Sequence, residues 1–207
     1  MRHGETDWNK AHRIQGGNSD TSLNERGKEQ AGELALRLKQ ERVQAIYSSS
    51  LERALDTARV IARHHQLEVQ IKPDLREINV GELEGVLISM IGKRLDELLT
   101  MKGQNGIQVG VGETSFSKLR NIGGESLDEL QQRVWNAIKH IVSRHSDGVI
   151  VVVSHYFVIM AIICAVLNLP LSQIGRLRLG VASISTIVFD EQVARLTLFN
   201  DSCHLTV

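Results

Sequence analysis

Apolar residues fall into two periods along the chain, and their order marks out the elements. Ala31, Leu34, Ala35 and Leu38 recur at helical spacing, so one face packs inward; Asn24 can cap that helix, with Glu25 in its first turn. Val43 to Tyr47 reads as a short strand ending in Ser48-Ser49-Ser50. The helical period returns from Leu51 to His65, with Ala54, Leu55, Ala58 and Ile61 inward and Ser50 expected as N-cap. Leu67 to Ile71 alternates as a strand that Pro73 closes, and Ile88 to Leu99 is helical. Ser126-Leu127-Asp128-Glu129 forms a capping box, and Leu127, Leu130, Val134, Ile138 and Ile141 make the buried stripe of the helix it opens. Val149 to Val153 is apolar on both faces, as in the middle of a parallel sheet. Ser183 to Phe189 and Val193 to Phe199 predict a hairpin around Asp190-Glu191. Strands alternate with helices, so the class is α/β.

Two stretches break the pattern. Residues 10–22 are polar and irregular, with Gln15-Gly16-Gly17-Asn18 at their centre. Residues 100–124 carry glycine at 103, 106, 110, 112, 123 and 124, together with Lys102, Lys118 and Arg120. Regular elements flank this second stretch. It is therefore expected to be a functional lid, within an insert at about 86–124 of a single domain covering 1–207. Gly148 to Leu169 is apolar enough to suggest a membrane span, but Ser154-His155-Tyr156 interrupts it, and a span needs about 20 continuous apolar residues. It reads as a buried strand followed by a buried helix.

Composition narrows the partners. The 24 Lys and Arg residues balance 24 Asp and Glu, which argues against nucleic acid or an anionic membrane surface as the main partner. A small anionic substrate stays open, because a local arginine cluster can hide in a neutral total. The cysteines, Cys164 and Cys203, have no metal-ligand spacing; Cys164 sits in an apolar run and reads as a small core residue. Free thiols and a polar N-terminus without a signal peptide imply a cytoplasmic location. The oligomeric state is not encoded legibly; a homodimer stays open.

The candidate chemistry starts at Arg2-His3-Gly4-Glu5-Thr6-Asp7-Trp8-Asn9. A neutral imidazole is a competent nucleophile toward phosphorus, and a guanidinium fork matches phosphate oxygens. Gly4 would allow a ligand close to the backbone. Arg53 falls in the first turn of its helix, where it reads either as part of an anion site or as a solvated arginine, the commoner state. Glu77, Glu82 and Glu84 offer a candidate general acid, provided one is desolvated or near negative charge. His155 ends the strongest strand, where ligands bind in open α/β sheets, although a satisfied core histidine fits that place equally. His204 adds one more imidazole in the tail.

The order of these pieces is specific. Arg-His-Gly-Glu-Thr-x-Trp-Asn, Gln-Gly, Leu-Asn-Glu-Arg-Gly, Ser-Ser-x-Leu-x-Arg-Ala-x-x-Thr-Ala, Arg-Glu-Ile, Gly-Gly-Glu-Ser and Val-Ser-His follow one another along the chain. The whole resembles the histidine phosphatase superfamily, the phosphoglycerate-mutase-like proteins, and among them the short bacterial metal-independent phosphatases of broad-specificity, α-ribazole or phosphoserine type. The Asn-x-x-Cys-His-Leu end, Asn200 to Leu205, is similar to the phosphoserine group.

The resemblance implies a three-layer fold with a mostly parallel central sheet flanked by helices. It implies a phosphomonoesterase acting on a small-molecule phosphate ester, with no cofactor and no metal. His3 would become phosphohistidine, while Arg2, Arg53 and His155 would hold the phosphoryl oxygens. Asn9 and the Gln15-Gly16 backbone would add hydrogen bonds, and Glu77 would protonate the leaving oxygen and later activate water. Tyr156 and His204 join as candidate substrate contacts. Relatives begin with an apolar strand before Arg-His, whereas only Met1 precedes Arg2 here, so most of the first strand is expected to be missing. Tyr156 stands where many relatives have Gly, and Val80 where phosphoserine phosphatases of this type carry His. The alternatives are a phosphoglycerate mutase, or a catalytically weak homologue that only binds phosphate.

Overall fold

The computed structural model describes residues 1–101, 119–190 and 193–206. In chain order its elements are α1 (Asp7–Lys10), α2 (Glu25–Leu38), β1 (Val43–Ser48), α3 (Glu52–His65), β2 (Val69–Ile71), α4 (Ile91–Met101), α5 (Leu127–Val142), β3 (Val149–Val153), α6 (Tyr156–Leu167), β4 (Ile184–Phe189) and β5 (Ala194–Asp201), with short 3-10 turns between them.

β1 lies between β2 and β3, parallel to both, with Ser48 opposite Ile71 on one side and Val153 on the other. Side chains alternate across a strand, and here both faces are buried. Ile46, Val151 and Val153 pack under Leu34, Ala35 and Leu38 of α2 and Ala54, Ala58 and Ile61 of α3. Ala45 and Tyr47 face the opposite way, toward Leu130, Val134 and Ile138 of α5 and Val158, Ala161 and Ile162 of α6. The result is three layers, helices on both faces of the sheet. β4 and β5 form a separate antiparallel pair, the expected hairpin; Glu191 lies outside the described residues.

Most of the first strand is missing, as expected: residues 1–3 form no regular strand, yet Arg2 makes a parallel bridge to Ser154 beside β3. Met1 N donates to Val152 O at 2.8 Å, Ser154 N to Met1 O at 3.0 Å, and His3 N to Ser154 O at 3.1 Å. On the other flank, Arg2 N donates to Ser183 O at 3.1 Å and Ala182 N to His3 O at 2.9 Å. Residues 1–3 thus bridge the end of β3 to the chain entering β4.

Several local expectations shift. Ser50 does not cap α3: Leu51 is the N-cap and makes no side-chain cap bond, while the Glu52 amide donates to Asp20 Oδ1 at 2.7 Å. Ser50 Oγ instead accepts from Arg76 at 3.3 Å. The inward face of α3 holds Arg53 and Thr57 in place of the half-buried Leu55. The helix expected from Ile88 opens as a 3-10 turn, Ile88–Met90, before α4. The capping box at Ser126 forms as read, with both reciprocal bonds. Of the glycine-rich stretch, residues 102–118, including Lys102 and Lys118, lie outside the described residues. Arg120 is exposed and pairs with Glu129. Among the described residues no helix is long and apolar enough to cross a membrane.

Candidate active site

Parallel strands deliver the chemistry at their carboxyl ends. His3 follows the short first strand and His155 follows β3, so the backbone pairing at Ser154 sets the two imidazoles side by side. Their ring centroids are 5.2 Å apart at an interplanar angle of 55°. Both are buried.

The partners of His3 fix its tautomer. Nδ1 lies 2.7 Å from the Gly4 carbonyl, which can only accept, so Nδ1 carries the proton and Nε2 carries the lone pair. Burial holds the pKa of His3 well below the usual 6.5, helped by the Arg53 and Arg2 charges; the bond to Gly4 opposes them. At neutral pH this is an unprotonated imidazole with its nucleophilic nitrogen available.

Arg53 is fully buried, which removes the solvated reading. Its Nη1 donates to Ser19 O at 2.8 Å and its Nη2 to Gly16 O at 3.1 Å, so the 15–19 loop wraps the guanidinium. Desolvation lowers its pKa to about 10, opposed by the Glu77, Asp20 and Glu84 carboxylates, and it remains a cation at neutral pH. Arg2 Nη1 donates to Leu179 O at 2.7 Å, and the Tyr156 ring lies 5.4 Å from its Cζ. Among the described residues, Arg2 Nε, Arg53 Nε, His155 Nδ1 and Gln15 Nε2 are buried and bond to no protein atom. Buried N–H groups normally find partners, so these donors are left able to receive an anion.

Of the three carboxylates offered by the sequence, the structure separates the roles. Glu77 is buried, accepting from the Ile78 amide at 2.9 Å and the Phe157 amide at 3.2 Å. Desolvation raises its pKa; the two amides and the Arg53 and Arg2 charges oppose the rise without cancelling it. Glu84 instead organises the loop, accepting from the Gly16 and Asn18 amides at 3.0 Å each and from Ser19 Oγ at 2.8 Å. Glu82 is exposed. A cavity of about 560 Å³ opens beside Glu77, lined also by Asn18, Arg76, Asn79, Glu125 and Arg133.

Other candidates are placed differently from expectation. The Gly16 amide is taken by Glu84 and its carbonyl by Arg53, so this backbone steadies the arginine in place of a ligand. Asn9 Oδ1 accepts from the Thr6 amide at 3.2 Å as half of the α1 capping box. Gly4 is required by protein packing rather than by a ligand: a Cβ there would meet the carbonyl of Gly27 in α2. His204 Nε2 donates to Ala182 O at 3.0 Å, behind the His3 backbone and apart from the donor set. Tyr156 touches Arg2, and its hydroxyl donates to Leu177 O at 3.3 Å.

Several further groups support the site. Thr57 Oγ1 accepts from the Gly4 amide at 3.1 Å and donates to Arg53 O at 2.8 Å, joining the nucleophile's loop to the arginine's helix. Its place four residues after Arg53, on the same helix face, was the available signal. The Phe157 amide carries no sequence signal of its own, whereas Ser49 is the second serine of the Ser-Ser-x-Leu-x-Arg motif.

A neutral imidazole, the buried guanidinium of Arg53, the half-buried one of Arg2, a second imidazole and a carboxyl of raised pKa lie close enough for their charges to bear on one another. The family model of the histidine phosphatase superfamily (branch 1) matches residues 1–202. The chain belongs to the histidine phosphatase superfamily. Phosphoserine phosphatase 1 of Hydrogenobacter thermophilus is 35% identical over 205 residues, 99% of this chain and 92% of that protein. Phosphoglycerate mutase-like protein 4 of Arabidopsis thaliana is 37% identical over 164 residues, 78% of this chain and 67% of that protein. The crystal structure of phosphoserine phosphatase from Entamoeba histolytica, in complex with 3-phosphoglyceric acid, superposes with a TM-score of 0.80 at 29% identity, covering 99% of this chain and 96% of that one. In this histidine phosphatase the α/β fold with a parallel central sheet is the fold of its relatives.

Proposed function

We propose that the chain hydrolyses a small phosphate monoester through a phosphohistidine on His3. The observation that carries this reading is the His3 tautomer: Nδ1–H is tied to the Gly4 carbonyl, leaving the Nε2 lone pair free in the field of the buried Arg53 and the half-buried Arg2. Nε2 attacks phosphorus as the ester P–O bond breaks. The leaving oxygen takes the proton of Glu77. Glu77, now a carboxylate, accepts a proton from water, whose oxygen attacks phosphorus as the P–N bond breaks, and inorganic phosphate departs. Charge resides on the equatorial oxygens throughout, so positioned donors from Arg2, Arg53 and His155 supply most of the stabilisation. Gln15 Nε2, which has no protein partner among the described residues, is a secondary contact, and Asn9 serves the α1 cap.

The leaving group occupies the cavity beside Glu77. Gly124, the last residue of the insert, and the adjacent Glu125 line that cavity, which supports the insert as the selector of substrate. Replacing residues 100–124 with the corresponding stretch of another family member should change the preferred ester without abolishing phosphohistidine; an unchanged preference overturns that role.

The test is hydrolysis of p-nitrophenyl phosphate in the presence of EDTA, with trapping of the phosphoenzyme. Activity that survives chelation and vanishes with a phosphoenzyme in His3→Ala is the expected result. A second reading, phosphoglycerate mutase, is favoured by the likeness to phosphoglycerate mutase-like protein 4. Isomerisation of a phosphoglycerate without net phosphate release would establish it. A folded protein that binds inorganic phosphate but turns over no ester would establish the catalytically weak alternative.

A further inference from the structure

His155 Nε2 lies 2.7 Å from the hydroxyl oxygen of Ser49, and His155 Nδ1 has no protein partner among the described residues. The geometry leaves one question: which nitrogen carries the proton? A serine hydroxyl has one proton to give and two lone pairs. One lone pair of Ser49 Oγ already accepts the Leu51 amide at 3.2 Å. Ser49 is fully buried, and His155 Nε2 is the acceptor the structure offers its hydroxyl proton among the described residues. If Nε2 were protonated, it would donate to Ser49, and the hydroxyl proton would be left buried without an acceptor, a costly arrangement. In that case Nδ1 would also present a lone pair toward an incoming anion.

We infer that Ser49 is a positioning residue that donates its hydroxyl proton to His155 Nε2, holding His155 as the Nδ1–H tautomer so that a neutral imidazole donates to a phosphoryl oxygen. The inference rests on the proposed phosphomonoesterase function for its purpose, though not for the tautomer itself. The two histidines then hold the same tautomer for opposite ends. His3 has its N–H tied to a carbonyl and its lone pair free; His155 has its lone pair tied to a hydroxyl and its N–H free. The backbone keeps Ser49 in place, since its amide donates to Val153 O at 3.1 Å and locks the end of β1 to the end of β3, two residues before His155. The same serine receives the amide of Leu51, the N-cap of the helix carrying Arg53. One hydroxyl therefore couples the second imidazole to the arginine helix.

The groups facing His155 agree with a neutral ring. Burial depresses its pKa well below 6.5, and the Arg53, Arg2 and Arg76 charges push the same way, as His3 would if it were protonated. An imidazolium is disfavoured among so many cations, and the Nδ1–H tautomer provides a donor without one.

The test is 15N NMR of the full chain, labelled in histidine, at neutral pH, before and after adding inorganic phosphate. The expected spectrum shows His155 Nε2 unprotonated and Nδ1 protonated, with the Nδ1–H proton moving downfield when phosphate binds. Ser49→Ala should lose the single-tautomer signature and lower kcat/KM by about 10- to 100-fold, as loss of an orienting partner does, with Ser49→Thr recovering most of it. A protonated Nε2 in the wild-type protein, or a Ser49→Ala spectrum and rate equal to wild type, overturns the inference. If Ser49→Ala does not fold, the wild-type spectrum decides alone. A wild-type protein with the expected spectrum but no turnover and no phosphoenzyme would sink the proposed function and leave the tautomer assignment standing.

Discussion

The backbone amide of Phe157 donates to Glu77 Oε2 at 3.2 Å, so the start of α6 holds the carboxyl of a loop 80 residues earlier in the chain. A helix N-terminus favours the charged carboxylate, yet burial wins and Glu77 keeps a raised pKa. The amide fixes the carboxyl's direction while desolvation keeps its proton.

Glu77→Gln should therefore be sensitive to the leaving group. Alkyl phosphates need a proton on the departing oxygen and should lose about 10²- to 10⁴-fold in kcat, the usual range for general acid catalysis. p-Nitrophenyl phosphate needs little protonation and should lose much less. Measuring kcat across a series of aryl and alkyl esters checks this; equal losses across the series would remove Glu77 from the acid role.

Arg53→Ala should show no such dependence on the leaving group. Its guanidinium serves the phosphoryl oxygens whichever group departs, so the loss should be nearly constant across the same series. Removing one preorganised donor costs about 10²- to 10³-fold. With p-nitrophenyl phosphate, Arg53→Ala should be slower than Glu77→Gln; the opposite ranking would contradict both assignments.

Much of this fold and site is legible in the sequence. The capping box at Ser126, the doubly apolar β3 and the helical stripe of α5 each state their structure locally, because propensity and packing agree there. His155 could be placed at a strand end for the same reason. Arg53 could not be assigned from position. An arginine in a first turn looks alike in sequence whether solvated or enclosed, and its enclosure depends on the Gly16 and Ser19 carbonyls, from a loop far earlier in the chain. The failed cap at Ser50 has a similar origin, since the Glu52 amide is satisfied from a distance by Asp20. The first strand escaped periodic reading because it is held by neighbours on both flanks, at Val152 and Ser154 and at Ala182 and Ser183.

Tyr156 should matter through its ring. The aromatic face lies on Arg2 at 5.4 Å, a contact worth up to about 2 kcal/mol when desolvated. Tyr156→Phe keeps the face and loses only the hydroxyl bond to Leu177, so kcat/KM should stay within a few-fold of wild type, about 1 kcal/mol for one hydrogen bond. Tyr156→Gly frees the guanidinium and should lower kcat/KM by roughly tenfold or more, equivalent to about 1.4 kcal/mol. Steady-state kinetics on both variants test the ordering; Phe as damaging as Gly would assign the hydroxyl, not the ring.

Stability should fall on the acid side. His3 and His155 have depressed pKa values in the fold, so below 6.5 the unfolded chain binds protons the native state refuses. Their contribution is present above 6.5 and is lost as pH drops. Glu77 acts in the opposite sense: its raised pKa means the native state holds a proton the unfolded chain has released, so its contribution fades as pH rises above 4.5. Tm measured from pH 8 down to 4.5 should decline, and the decline should steepen in Glu77→Gln, which removes the opposing slope. A flat profile in the wild type and the variant alike would place both imidazoles in contact with water.

Gly27 should be the most sensitive glycine outside the donor set. A Cβ on it would meet the Glu5 carbonyl, and a Cβ on Gly4 would meet the Gly27 carbonyl, so α2 and the nucleophile's loop touch backbone to backbone. Neither contact can be relieved by turning a flexible side chain. Gly27→Ala must push the two segments apart, at about 1–3 kcal/mol, the usual range for overpacking. The displaced segment carries the Gly4 carbonyl that orients His3, so kcat should fall together with the denaturation midpoint. Gly32, in the same helix, has no atom within 4 Å of its Cβ position and supplies the control. Gly32→Ala should leave kcat unchanged and raise stability by about 0.4–1 kcal/mol through the entropy of the unfolded chain. Urea melts and initial rates on the pair check this, and equal behaviour of the two variants would show that the backbone contact carries no constraint.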